Sequence, residues 1–256
     1  MKPLLRRSAV RRPRNADNRR QRGASMVEFA VVGPIAILVI MALIQIGMMM
    51  VAKQIVNEAA FEGARMGASE HALKKEVARA VRRKLAPFYQ NTSDPTTSDF
   101  DRLSSASLAA LVDTNIPFRL TVERLSPPAS AFNDFGINVS DGSGNNHLAI
   151  PNDNLEYRKY ADYKGSQSNL TIQDANELRI KVEYAYELKV PLMKTLFNAV
   201  MCGIDSGVDA FGSGSGLFTG IASPTDCLEY YMQGRVPITT YATVQMQSDA
   251  WQDSDW

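Results

Sequence analysis

Histidine and cysteine are scarce in this chain, with two of each among 256 residues. His71 falls in a basic run and His147 in a Gly- and Asn-rich stretch, too few and too unlike in setting for a zinc site. No C-x-x-C occurs, so thiol-redox chemistry has no support. The run from Asp141 has Asn146 where an EF-hand loop needs glycine and Asn152 where it needs an acid, which argues against calcium. The glycines from Gly212 to Gly216 follow no strand pattern and precede no lysine, so they read as a flexible loop rather than a phosphate cradle. No catalytic residue, metal ligand or cofactor is assigned, and the chain reads as a non-enzyme.

Charge is missing from one long stretch. The 24 residues from Phe29 to Ala52 carry none, and about 20 suffice for a helix to cross a hydrocarbon core. A secretory signal would have a shorter apolar core and a small-residue cleavage site, whereas this run continues into Lys53-Gln54-Ile55-Val56. The first 22 residues hold nine basic side chains and one acid, a net +8 that leaves −7 for the remainder. This asymmetry puts the N-terminus in the cytoplasm and everything after residue 52 outside. Outside is an oxidising compartment, which favours a disulfide between Cys202 and Cys227 over two buried thiols.

Glu28 stands at the mouth of the span, with no basic residue three or four positions away. Upstream runs Arg20-Gln21-Arg22-Gly23-Ala24-Ser25-Met26-Val27-Glu28-Phe29, a basic leader ending in glycine with a carboxylate five residues later. This arrangement resembles the type IV pilin superfamily, and more closely the TadE-like family of the tight-adherence (Tad, Flp) pilus apparatus. Ala59-Ala60-Phe61-Glu62-Gly63-Ala64-Arg65 extends the resemblance to about residue 68. It implies that a prepilin peptidase cuts between Gly23 and Ala24, and that Glu28, fifth in the mature chain, sets register between subunits. It also implies as partners that peptidase, other pseudopilins, the major pilin and an inner-membrane Tad platform. Ala24 stands where many pilins begin with phenylalanine or methionine, and Pro34 comes early in the span.

Beyond the membrane, the small residues Ala59, Gly63 and Gly67, with Ala60, Ala64 and Ala68 beside them, form stripes that another backbone can approach closely. They suit contact with a partner helix or with the chain's own domain equally well. A second helix is predicted from Ser69 to Ala86, with Lys74, Lys75, Arg79, Arg82, Arg83 and Lys84 on its polar side. That side is either solvated or a site for membrane lipid or an acidic neighbour; nucleic acid is not a partner expected outside the membrane. Residues 90–115 read as a linker with one short helix at 105–113, and residues 130–170 as a surface excursion. Period-two alternation predicts strands at 118–123, 178–188 and 236–246 in one antiparallel sheet. A short helix is predicted at 193–201.

The expected fold class is α+β and pilin-like: a long transmembrane helix continues into exported helices, and an antiparallel-sheet domain follows. The expected segments are a basic leader (1–23), a span (24–52), membrane-proximal helices (53–86), a linker (87–115) and a β-rich domain (116–256) with a disulfide loop (202–227). The expected function is that of a TadE-like minor pseudopilin or assembly factor, single-pass in the bacterial inner membrane with a periplasmic C-terminal domain. The alternative is an uncleaved, membrane-anchored binding or envelope-sensing protein.

Overall fold

A computed structural model describes residues 21–90, 98–142, 144–158, 163–202, 224–253 and 255–256. The leader up to residue 20, part of the expected linker (91–97) and the Gly/Ser-rich loop (203–223) lie outside the described residues. The protein is α+β, a long N-terminal apolar helix followed by antiparallel sheets. In chain order the elements are α1 (Gln21–Ser69), α2 (Lys74–Leu85), a 3-10 turn (Ala86–Tyr89), α3 (Asp99–Thr114), β1 (Leu120–Ser126), α4 (Ala129–Phe135), β2 (Ile137–Ser140) and β3 (Asn146–Ile150). There follow α5 (Ile172–Ala175), β4 (Glu177–Glu187), α6 (Met193–Cys202), α7 (Pro224–Glu229), β5 (Arg235–Gln245) and β6 (Ala250–Trp251).

The chain divides into two units at Ile44/Gln45, inside α1. The first is the apolar part of α1, where Met26, Phe29, Ile35 and Leu43 all stand exposed. From Met26 to Ile44 the helix rises about 28 Å, close to the thickness of a hydrocarbon core. The second unit has a hydrophobic core built on β4. Its alternation puts Leu178, Ile180, Val182, Tyr184 and Tyr186 on one buried face, with Ala52, Val56, Ala60 and Ala64 of α1 and Val77, Val81 and Leu85 of α2 in the same core. β4 is the central strand, antiparallel to β1 (Val122 opposite Val182) and to β5 (Thr240 opposite Val182).

Three local readings of the sequence are corrected by the structure. The helix predicted from Ser69 begins only at Lys74, because His71 and Ala72 both take left-handed backbone angles (φ 56°) and reverse the chain. This reversal is secured by the C-terminal residues. The amides of Gln247 and Ser248 donate to the Ala68 carbonyl (2.9 and 3.0 Å), and Asp253 Oδ2 accepts from Lys74 N (3.0 Å), capping a helix whose own Leu73 supplies no cap. The expected linker contains a 16-residue helix, α3, started by Ser98, whose hydroxyl accepts from Asp101 N (3.2 Å). Its Ser/Asp composition reads as loop only when the capping role of those residues is missed.

The expected excursion 130–170 carries β2 and β3 of a second sheet, completed by β6 from near the C-terminus, and buries Phe132, Ala149 and Ile150. Asp134 anchors the segment after it. Its carboxylate accepts from the amides of Gln167 (3.1 Å) and Ser168 (2.7 Å) and from the hydroxyls of Ser168 (2.7 Å) and Ser166 (3.2 Å). Partial desolvation pushes this carboxyl up, but those donors outweigh it and hold it below its ordinary value of 3.8. The stability it contributes is therefore present above that value and is lost as pH falls through the lowered folded-state value. Asp134→Asn should speed amide exchange at Gln167 and Ser168 at neutral pH, measured by hydrogen–deuterium exchange, while leaving the β4 amides protected.

Candidate functional site

Gly23, Ala24 and Glu28 all lie in the first two turns of α1. Ala24 and Glu28 are four residues apart and so share a helix face, separated by about 6 Å of rise. Cleavage at Gly23–Ala24 would create an α-ammonium on that face, one turn from an exposed carboxylate. Among the described residues no ion pair to Glu28 is formed. A carboxylate at the edge of an apolar segment, with no ion pair among the described residues and beside a bond whose scission would supply a cation, is the chemical content of this junction. Pro34 removes one hydrogen bond within the helix, and α1 remains helical through it.

The small-residue stripes face inward. Ala59, Ala60, Ala64 and Ala68 are fully buried, and Gly63 and Gly67 are buried beside them. A Cβ on Gly63 would stand 2.6 Å from Val81 Cγ2, and one on Gly67 would stand 2.7 Å from both Leu178 Cδ2 and Val77 Cγ2. The close approach that these residues allow is to the chain's own α2 and β4. Phe61 and Arg65 point outward, with the guanidinium 6.0 Å from the Phe61 ring and 3.9 Å from Glu62.

Gln45 is a residue that sequence reasoning passed over. It sits inside the uncharged run yet is fully buried, and its Oε1 accepts from the Val190 amide at 3.0 Å across 145 positions. A lone amide among apolar neighbours was the available signal: Ala42, Leu43, Ile44 and Ile46 surround it in sequence. Its position shows that the C-terminal domain grips α1 eight residues before Lys53, where the charge-free run alone suggested bare membrane helix.

The two cysteines form a disulfide, Cys202–Cys227, joining α6 to α7. The two histidines, which looked unrelated in the sequence, both stack on Trp251, with ring centroids 3.9 Å (His71) and 4.1 Å (His147) from it. The basic residues Lys74, Lys75, Arg79, Arg82 and Arg83 of α2 line a groove of about 650 Å³ with Ser107 and Leu111 of α3. Val81 of this helix lies against Gly63 of α1.

A family model described as TadE-like protein matches residues 23–65. The match starts on Gly23, spans Glu28 and the apolar helix, and ends at Arg65. No curated protein and no solved structure matches the chain. The TadE-like segment suggests a protein associated with Tad pili, and the single N-terminal apolar helix is consistent with membrane anchoring.

Proposed function

We propose that this chain is a minor pseudopilin or assembly factor of a bacterial Tad pilus, matured by a prepilin peptidase that cuts between Gly23 and Ala24. The observation that carries the reading is a TadE-like match that opens on the glycine of the junction and takes in the carboxylate five residues later. Cleavage removes the basic leader and leaves an ammonium and Glu28 at the edge of the membrane, where each is costly without a counter-charge. Pairing with the ammonium of a neighbouring subunit fixes axial register, which is the work a filament or its initiating complex requires. The chain is anchored in the inner membrane with its C-terminal domain in the periplasm, in keeping with the basic residues before the span. Its partners are the peptidase, the inner-membrane platform, other pseudopilins and the major pilin.

The N-terminal residue of the membrane-extracted protein, determined by intact mass in cells with and without an active prepilin peptidase, tests this. A peptidase-dependent start at Ala24 is expected. A start at Met1 or Lys2 in both strains would overturn the reading and leave an uncleaved, anchored binding protein as its successor.

A further inference from the structure

We propose that α6 is seated in the membrane surface, so that the C-terminal domain rests on the lipid leaflet from which α1 emerges instead of standing off from it. This rests on the membrane-anchored reading of α1 and is independent of the role in a pilus. The first support is the level at which α6 is held. The Gln45–Val190 hydrogen bond fixes the chain just before α6 to α1 at a position inside the uncharged run Phe29–Ala52. Whatever layer surrounds Gln45 also surrounds the start of α6.

The second support is what α6 shows at that level. Leu192 and Leu196 are 61% and 46% exposed, and the Leu196 amide donates to the Leu192 carbonyl (3.1 Å), placing them one helical turn apart. Leu192 takes a left-handed backbone angle (φ 65°), a region that a branched side chain seldom occupies, and is exposed there. Between Met193 and Cys202 the only charged or amide side chains are Lys194 and Asn198. This is a short, mainly apolar helix with its leucines facing out of the domain.

The third support is continuity. On α1 at the same height, Ile46 and Met50 are 46% and 66% exposed, and with Phe197 they line an apolar recess of about 370 Å³ beside β5. Within the second unit, exposed apolar surface therefore runs from Ile46 and Met50 of α1 onto α6. Lys189 and Lys194 flank the patch and share the Glu187 carboxylate, each at 3.0 Å. Long lysine stems carry their ammonium groups to headgroup level while the leucines stay in the acyl layer.

Tryptophan placed at single sites of the full chain, reconstituted in vesicles of phosphatidylcholine brominated near the ester end of its acyl chains, reads this directly. The wild-type protein, with Trp251 and Trp256, supplies the baseline. Leu43→Trp reports on the span, Leu196→Trp on α6 and Leu111→Trp on an exposed helix away from the membrane. Brominated lipid should lower the added emission of Leu43→Trp and Leu196→Trp at least two-fold and leave that of Leu111→Trp unchanged. Quenching at 43 without quenching at 196 would overturn the proposal while keeping the anchor, and is the result expected if a second copy or a partner protein covers α6. Quenching at neither site would remove the anchored reading and this proposal with it.

Discussion

Gly63→Leu should unfold the C-terminal domain or lower its stability by about 3 kcal/mol or more, the upper range for forcing extra methylenes into a packed core. The site leaves no room for relief: Val81 Cγ2 would be 2.6 Å from the new Cβ, with the Val77 side chain and carbonyl both at 3.4 Å. Val77 and Val81 are themselves fully buried, so neither can swing aside without displacing the next layer. Separating α1 from α2 would also expose Ala60, Ala64 and Leu85, which belong to the same core. For a domain of this size the change corresponds to a fall in Tm of roughly 6–12 °C, measurable by circular dichroism on the detergent-solubilised full chain. Gly47 is the internal control. It lies on the same helix with nothing within 4 Å of its would-be Cβ, so Gly47→Leu should leave Tm unchanged. A normal Tm for Gly63→Leu would show that this face is free to serve another chain.

Asp113→Ala should cost about 3 kcal/mol, in the range seen when one partner of a largely buried charge pair is removed. Arg235 grips Asp113 with two nitrogens (3.1 and 3.2 Å), and Arg119 Nε stands 3.9 Å away. The three side chains are between 13% and 18% exposed, so water cannot replace the lost carboxylate. Tyr89 donates to the same carboxylate at 2.7 Å and lies 3.0 Å from the Tyr184 hydroxyl, joining the turn after α2 to the central strand. Asp113→Asn keeps an acceptor for Tyr89 and one nitrogen of Arg235 and should cost less than the alanine variant; equal losses in chemical denaturation would refute the account.

This cluster also contributes stability that depends on pH in the alkaline range. Burial, reinforced by Tyr184 and Asp113, pushes Tyr89 well above the ordinary phenol value, and burial pushes Tyr184 up to about 12. Both stay neutral in the native protein at a pH where the unfolded chain ionises. Their contribution is fully present below pH 10 and is lost progressively above it as the phenols of the unfolded chain ionise.

What the sequence made legible was periodic. The uncharged run announced a membrane-length helix, and the two long alternating runs announced β4 and β5 within a residue of their observed bounds, because a half-buried strand writes its two faces as alternate letters. The disulfide followed from an even pair in a chain that reads as exported. The first part of α3, before the helix expected at 105–113, and the second sheet were missed for a common reason. Their starts and turns are made of Ser, Asp, Asn and Gly, the residues that loops also use, and only the hydrogen bonds they form distinguish a cap or a hairpin from an irregular segment.

The sequence by itself determined the TadE-like segment, with Gly23 and Glu28 within it, and the apolar length of α1, since these are properties of neighbouring residues along one helix. Only the tertiary structure decided which neighbour the small-residue stripe serves. A row of glycines and alanines states that a backbone approaches closely but carries no record of whose, and Val77, Val81 and Leu178 supply the answer. The same holds for Gln45. Nothing in the uncharged run gave its amide a partner; only the structure pairs it with Val190, 145 residues away, because hydrogen bonds between distant segments leave no period in the sequence.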